Sequence, residues 1–246
     1  MNLLQKIKSA FILTTLLSCG SKDPKAGLDQ DLAIGIVADC QYCHCESTSS
    51  RFYKNSPGKL QNAVDSLNNA PLDYAIHLGD FIDRDFSSFD TVGPIWNKLK
   101  TKKYQVLGNH DFSVADSLKP LVPHKMNLKQ RYYSFVEQNW RFIVLDGNDL
   151  SYQGAITEEK LAQTDSLFTL LSKSKPPNLH TWNGGLSLEQ LKWVENELIL
   201  ALKNNEKVGF YCHFPVLGED KVHRLWNSPQ FLSLIDQYPN VKFYFN

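Results

Sequence analysis

The sequence predicts an α/β fold, and three features of its 246 residues carry this prediction. Several apolar runs, short enough to be buried strands, each end in polar side chains. An amphipathic stretch separates the first two runs, which is the spacing of a βαβ unit with parallel strands. Two later runs flank the short connection 137–139 and predict an antiparallel hairpin, so the sheet is expected to be mixed.

Apolar runs with β-branched and aromatic residues define the expected strands. These are residues 33–38, 74–78, 104–107, 132–136, 140–145, 207–211 and 241–245. Amphipathic or capped stretches define the expected helices. These are residues 57–69, 91–100, 157–172, a helix beginning at Ser187, and 228–237. Residues 120–130 contain two prolines and are expected to be irregular, and Ser113 is expected to cap a further short helix.

The helix that begins at Ser187 carries the strongest local signals. Ser187 and Gln190 have the spacing of a capping box, in which each residue binds the backbone N–H of the other. One apolar face is predicted behind this start, formed by Leu188, Leu191, Val194, Leu198 and Leu202.

Composition limits the classes of partner. Lys and Arg together number 26, as do Asp and Glu, so no overall charge favours binding to nucleic acid. A hydrophobic content of 42% supports one globular domain, expected over residues 31–246. A monomer that acts on a small-molecule substrate is the expectation.

The N-terminus has the order of an export signal. Lys6 and Lys8 precede an apolar stretch, 10–17, that is too short to span a bilayer, and Cys19 follows. This order resembles a bacterial lipoprotein signal, with residues 1–18 removed and 19–30 forming a lipidated cysteine and tether. The resemblance implies an exported protein whose only membrane contact is the lipid on Cys19, facing the periplasm or the cell exterior. An ordinary cleaved signal or a buried helix are the alternatives.

Four other cysteines remain after this assignment. Cys40, Cys43 and Cys45 are close in sequence, and Cys212 is distant. A zinc site would need a second pair of ligands that the sequence lacks. A local disulfide or buried thiols are therefore favoured.

Polar side chains follow four of the predicted strands. The segments are Asp39-Cys40-Gln41, Gly79-Asp80 through Asp83, Gly108-Asn109-His110-Asp111, and Cys212-His213. The carboxyl ends of parallel strands meet at one edge of a sheet, so these groups are expected to converge. Mixed carboxylate, amide and imidazole donors suit borderline divalent metals. His77, by contrast, lies within a strand and is expected to be a hydrogen-bonded core residue.

These motifs, in this order, resemble those of the calcineurin-like metallophosphoesterase superfamily. Gln41 stands where most members have His, and this departure is similar to a branch of manganese-dependent ADP-ribose/CDP-alcohol diphosphatases. Four further segments are similar in sequence to that branch, at residues 36–42, 51–53, 140–146 and 182–187. The resemblance covers roughly residues 32–246 and implies an αββα sandwich of two mixed sheets flanked by helices.

The resemblance also implies a role for each site residue. Two divalent ions, Mn²⁺ first and Fe or Zn as alternatives, would be bridged by Asp80. Asp39 and Gln41 would serve one ion, and Asn109 and His213 the other.

His110 would assist catalysis beside the ions, with Asp83 and Asp111 orienting it or the ligands. Arg51, Phe112, Asn183 and Gly184 would contact substrate. A solvated loop is the alternative for Arg51. A turn with positive φ is the alternative for the Asn183-Gly184 segment.

The expected reaction is hydrolysis of a phosphoanhydride bond in ADP-ribose, a CDP-alcohol or a similar nucleotide diphosphate. A phosphomonoesterase or phosphodiesterase on the same scaffold is the alternative. The printed sequence ends at Asn246 without the Gly-His-x-His motif of the superfamily. We therefore expect that the C-terminal strands of the fold are missing from this chain and that metal binding is weakened. Such a chain would be inactive, or would bind metal and nucleotide without turnover.

Overall fold

The computed structural model describes residues 31–246 of the chain. The predictions for the signal, the lipidated Cys19 and the tether fall on residues 1–30 and lie outside this range. Across the described residues, no helix combines the length and the apolar character needed to cross a bilayer.

The first sheet consists of three parallel strands. β1 (Ile34–Val37), β2 (Tyr74–His77) and β3 (Lys102–Gln105) lie side by side in that order. A helix follows β1 and another follows β2, and such crossovers bring consecutive strands back in parallel. The βαβ prediction is confirmed, whereas the expectation that both sheets are mixed is wrong for this one.

The second sheet has four strands and is mixed. β4 (Tyr133–Glu137) and β5 (Trp140–Val144) form the predicted antiparallel hairpin. β6 (Lys207–Tyr211) and β7 (Val241–Phe245) then add to β5 in parallel, in the order β4-β5-β6-β7. Helices flank both sheets, as expected for an α/β sandwich.

Six α-helices are described, and most agree with the predictions to within a few residues. They are α1 (Ser56–Asn68), α2 (Phe89–Trp96), α3 (Val122–Lys125), α4 (Glu158–Ser172), α5 (Leu188–Lys203) and α6 (Ser228–Ile235). Residues 120–130 are not wholly irregular, because a 3-10 helix (Asp116–Leu121) runs into α3. Pro123 lies in the first turn of α3, where the missing N–H costs nothing. Ser113 does not cap a helix start but follows the short 3-10 turn His110–Phe112.

Aromatic side chains join the two sheets. Tyr74 of β2 and Tyr211 of β6 are fully buried, and their hydroxyl groups lie 2.7 Å apart. Tyr104 of β3 stacks on Phe135 of β4 with ring centroids 3.6 Å apart. Separate apolar clusters lie between each sheet and its own helices. The sandwich thus holds the ends of β2, β3 and β6 near one another.

Disulfide pairing is local. Cys43 is bonded to Cys45. Within residues 31–246, Cys40 and Cys212 remain free thiols.

The start of α5 forms only half of the predicted capping box. Ser187 Oγ accepts a hydrogen bond from the N–H of Gln190, as expected. The Ser187 N–H, however, donates to the carboxylate of Asp149. Gln190 instead binds both backbone groups of Asp146, accepting from its N–H at 2.9 Å and donating to its carbonyl at 3.0 Å. The buried amide therefore fastens α5 to the turn after β5.

The apolar face of α5 is shifted from the predicted one. Leu188 is 76% exposed and Leu202 is also exposed, whereas Ala201 is buried beside Leu198. A straight helix contacts the sheet mainly along its middle, so apolar residues near its two ends can be exposed. The spacing of apolar residues in the sequence does not show where this contact ends.

Replacing Gln190 tests its role in this fastening. Gln190→Ala leaves the buried N–H of Asp146 without a partner and removes one of the two hydrogen bonds to its carbonyl, which also accepts from the N–H of Asp149. We therefore expect a loss of about 2–3 kcal/mol in the free energy of unfolding. Gln163→Ala is the matched control, because Gln163 makes one exposed hydrogen bond within α4. Its cost should stay below about 0.5 kcal/mol in the same urea denaturation. Equal costs for the two variants would contradict this role.

Candidate metal centre

Polar groups from the ends of four strands converge at one point. Asp39 and Gln41 follow β1, Asp80 follows β2, Asn109 follows β3 and His213 follows β6. Donor atoms of Asp39, Asp80 and His213 all lie within 4.8 Å of one another. The two sheets therefore contribute to the same centre, as the strand-end motifs predicted.

The backbone at these loops adopts conformations that L-residues rarely occupy. The φ angles of Asp39, Gln41 and Asp80 are 52°, 42° and 54°. Such positions cost about 1–3 kcal/mol each and persist only where the surroundings fix them. Here the N–H of Asp39 binds the carbonyl of Gly79, and the N–H of Gln41 binds that of Asp80. Strained backbone thus coincides with the proposed ligands.

Two glycines allow the β2 and β3 loops to meet. Gly79 has a φ of 97°, a conformation that glycine adopts without the steric penalty of a Cβ. Gly108 allows the β3 loop to approach the β2 loop closely. A Cβ at this position would lie 2.2 Å from both the backbone nitrogen and Oδ1 of Asp80. Only a residue without a side chain brings Asn109 this near to Asp80.

His213 presents one ring nitrogen to the centre. Its Nδ1 lies 3.0 Å from the carbonyl oxygen of Leu78 and therefore carries a hydrogen that it donates. Nε2 then faces Asn109 Oδ1 at 3.1 Å and Asp80 Oδ1 at 3.4 Å. Three atoms that accept hydrogen bonds or coordinate cations thus surround one small space. This arrangement fits a divalent cation.

The charges at this point are strongly coupled. Burial disfavours the charged ring of His213, but the carboxylate of Asp80 raises its pKa to about 9. In turn, although burial acts in the opposite direction, His213 holds the pKa of Asp80 well below its usual range. Burial raises the pKa of Asp39, and the neighbouring charge of His213 opposes this. The metal-free centre therefore holds a proton on His213 that a cation would displace.

His110 lies beside these groups and is held by Asp83. Its Nδ1 is 2.9 Å from Asp83 Oδ1. Burial opposes ionisation of both partners, yet their mutual hydrogen bond lowers the pKa of Asp83 to about 2 and raises the pKa of His110. Arg84 supports the pair, since its Nη2 is 3.1 Å from both Asp83 Oδ2 and the hydroxyl of Tyr53. The expected orienting contact of Asp83 is present.

Asp111 has a different position from the one expected of a partner for His110. It is fully buried and accepts hydrogen bonds from the backbone N–H groups of Phe81, Ile82 and Gly108. Burial, with a contribution from Asp80, raises its pKa to about 7. Asp111 thus ties the β2 loop to the β3 loop.

Gln41 reaches the centre through its nitrogen. Nε2 donates to Asp80 Oδ2 at 2.8 Å. Coordination of an ion through Oε1, as the resemblance implies, requires the amide group to turn over. Its role as a ligand stays a prediction.

A pocket of about 620 Å³ opens over the centre. Arg51 and Asn183 line it, as expected of groups that contact substrate. Asn183 is fully buried and donates through Nδ2 to the carbonyls of Asn178 and Val222, while its Oδ1 has no partner within residues 31–246.

Two of the expected substrate contacts are corrected. Phe112 is completely buried in the apolar cluster under the first sheet, with the guanidinium carbon of Arg131 4.7 Å from its ring centre. It does not line the pocket. Gly184 does not line the pocket either, and it does not have the positive φ of the alternative. A Cβ there would lie 2.2 Å from the carbonyl oxygen of Gly147, so the glycine permits close backbone contact.

Other residues that were not predicted as site residues also line this pocket. Gln153, Trp182 and His223 are among them. The indole of Trp182 stacks on His180 with centroids 4.8 Å apart, and His223 lies 4.9 Å from it on centroids. The position of Trp182 immediately before Asn183 was an available signal, whereas no spacing relates His180 and His223 to it.

Together, the two-sheet fold and the carboxylate, amide and imidazole donors at its strand ends define an α/β protein with a metal centre. Residues 32–246 match the family model described as calcineurin-like phosphoesterase, and the chain belongs to this family. It is accordingly a metal-dependent phosphoester hydrolase by class.

Named relatives agree with this family. The manganese-dependent ADP-ribose/CDP-alcohol diphosphatase of Arabidopsis thaliana is 29% identical, covering 85% of this chain and 77% of the relative. The Homo sapiens protein of the same name is 28% identical over 87% of this chain and 75% of its own length. The crystal structure of a dimetal phosphatase from Danio rerio superimposes with a TM-score of 0.74 at 26% identity, covering 87% and 80% of the two chains.

Substitution of Gly108 tests the close approach of the two loops. Gly108→Ala places a methyl group against Asp80, and we expect a loss of about 2–4 kcal/mol in unfolding free energy together with weaker metal binding. Gly93→Ala is the control, because a Cβ in that helix meets nothing within 4 Å. It should stabilise by about 0.5–1 kcal/mol. Normal stability and metal affinity in Gly108→Ala would refute the steric argument.

The pKa of His213 gives a pH dependence with a defined sign. A raised pKa stabilises the folded state fully below the unfolded value near 6.5, and this contribution is lost as the pH rises through about 9. Chelator-treated protein should therefore lose on the order of 2–3 kcal/mol of unfolding free energy between about pH 6 and pH 9.5. In urea denaturation, His213→Gln should show a clearly smaller decrease. Identical decreases would remove His213 as the cause.

Proposed function

We propose that the chain is a dinuclear metal hydrolase that cleaves the phosphoanhydride bond of ADP-ribose, a CDP-alcohol or a similar nucleotide diphosphate, with Mn²⁺ as the preferred metal. The convergence of Asp39, Asp80, Asn109 and His213 beneath a pocket carries this proposal. The names of the relatives support the substrate class and the metal.

Two ions are assigned by position in the motifs. Asp80 would bridge them, with Asp39 and Gln41 on one side and Asn109 and His213 on the other. When bound, the two ions supply Lewis-acid stabilisation of the phosphoryl oxygens and lower the pKa of a water nucleophile towards 7. The strained backbone and the hydrogen bond from His213 to Leu78 hold the donor atoms ready for this role.

His110 acts on the leaving group. The ionised carboxylate of Asp83 accepts the Nδ1 hydrogen of His110 and so turns Nε2 towards the centre, where it lies 3.9 Å from Asp80 Oδ2. Burial opposes the charge of His110, but its hydrogen bond with Asp83 raises the pKa, which favours a hydrogen on Nε2. This N–H donates to a phosphoryl or leaving oxygen as negative charge develops there, a contribution typical of general acids at about 10²–10⁴-fold.

The aromatic part of the pocket lining suits a nucleotide. Trp182 offers an aromatic surface for a base, with His180 stacked on its ring and His223 tilted against it. The unpartnered Oδ1 of Asn183 is an acceptor in the neighbouring residue. Arg51 lines the pocket nearer the metal-ligand candidates and supplies positive charge for a diphosphate. A volume of about 620 Å³ accommodates a molecule of this size.

Product analysis with ADP-ribose tests the proposal. With Mn²⁺, we expect AMP and ribose 5-phosphate in equal amounts, and Asp80→Asn should lower kcat/KM by about 10²–10³-fold or more because it removes the shared carboxylate. Asp85→Asn is the matched control, since Asp85 only binds the N–H and hydroxyl of Ser87. Its kcat/KM should stay within about twofold of the parent.

The phosphomonoesterase alternative predicts another pattern. It predicts that the protein releases phosphate from p-nitrophenyl phosphate but no AMP from ADP-ribose. That result would show monoester hydrolysis at the same centre and would contradict the proposed anhydride cleavage. Undiminished activity of Asp80→Asn would contradict both reactions.

A further inference from the structure

A second pocket, of about 700 Å³, lies beside the outer edge of β3. Its walls come from the end of α2, from β3 itself, from residues 126–130 after α3, and from Tyr133 of β4. It shares no lining residue with the pocket over the metal centre. Its volume falls in the range of about 300–1,000 Å³ that is usual for small-molecule sites.

Among the described residues, no further strand pairs with the edge of β3 at Gln105, because a side chain occupies the backbone hydrogen-bonding groups there. The hydroxyl of Tyr133 accepts a hydrogen bond from the N–H of Gln105 at 3.2 Å and donates to its carbonyl at 2.9 Å. The backbone of β3 is thereby satisfied here without another strand. Trp96 and Met126 are almost fully buried and give an apolar base, and the rings of Tyr104 and Tyr133 stand beside it.

The charge of this pocket has one sign. Lys103 and Lys129 are the charged residues in its described lining, and no carboxylate accompanies them. The Lys103 ammonium makes only two long hydrogen bonds, both 3.4 Å, to the carbonyls of Asn97 and Leu99. Within residues 31–246, neither lysine has an ion-pair partner. An anion bound between them would meet two ammonium groups above an apolar floor.

Two buried polar atoms in the same walls lack partners. Trp96 Nε1 is a donor and Gln105 Oε1 an acceptor, and neither finds a hydrogen bond among the described residues. Unpartnered buried groups are uncommon and destabilising. Both residues line the same pocket, so its walls contain an unpartnered donor and an unpartnered acceptor in addition to the two lysines.

We propose that this pocket binds a small organic anion with a flat apolar body, such as an aryl carboxylate or sulfonate. The apolar floor takes the ring system, and Lys103 and Lys129 take the anionic group. A third pocket, about 720 Å³ between α4 and α5, has similar size but carries Glu159 and Glu189 and no basic residue in its described lining. Charge therefore selects the β3 pocket for an anion.

Fluorescence titration with 8-anilinonaphthalene-1-sulfonate tests this site. The double variant Lys103→Gln/Lys129→Gln should raise its Kd about tenfold or more, since two favourable charges are removed. The control Lys59→Gln/Lys98→Gln changes the net charge equally at exposed lysines outside the pocket, and should change Kd less than about twofold. N-phenyl-1-naphthylamine, which has the same rings without the sulfonate, should bind all variants alike.

Further variants keep the test decisive. Lys129 is exposed, so Lys129→Gln folds normally and should alone raise the Kd of the sulfonate about threefold. Arg51→Gln alters the metal-centre pocket and should leave this Kd unchanged. Equal affinities of the parent and the Lys103→Gln/Lys129→Gln variant, or a loss of affinity in Arg51→Gln, would overturn the proposal.

Discussion

The carboxylate of Asp80 is the interaction on which the rest of the centre depends. It accepts hydrogen bonds from the side chain of Gln41 and from the backbone N–H of His110, and it lies 3.4 Å from the ring of His213. These partners come from the ends of three other strands in two sheets. Because Asp80 is buried, its charge is stabilised only if all of them are in place. The sandwich therefore aligns its strands around one negative group.

The convergence of this centre was accessible from the sequence, for a physical reason. Parallel strands end at a common edge, so a polar residue after each apolar run is brought to the same place by the topology alone. Asp39, Asp80 and Asn109 each follow such a run in the first sheet. His213 also follows an apolar run, but it belongs to the second sheet and joins the others because the two sheets pack together. The need for a glycine at 108, by contrast, comes from the proximity of Asp80, which no local pattern shows.

Other positions depend on contacts between distant segments and could not be found in this way. Phe112 adjoins the site in sequence, but the 3-10 turn at 110–112 directs it into the core. Gln190 has the spacing of a capping box, yet Asp149 supplies the competing contact to Ser187 from another loop. Trp182 and His223 are distant in sequence and lie side by side only because their loops pack together. Local patterns state which groups are present, and tertiary packing decides which partner each one takes.

Occupancy of the centre by two ions is the central claim, and direct measurement of bound manganese tests it without relying on turnover. Electron paramagnetic resonance of the protein titrated with Mn²⁺, with metal analysis after gel filtration, should show two ions per chain and the multiline signal of a coupled pair. Asp80→Asn should abolish the coupled signal, because the variant lacks the carboxylate that we propose to bridge the ions. Binding of a single uncoupled ion, or a coupled signal that persists in Asp80→Asn, would contradict the account.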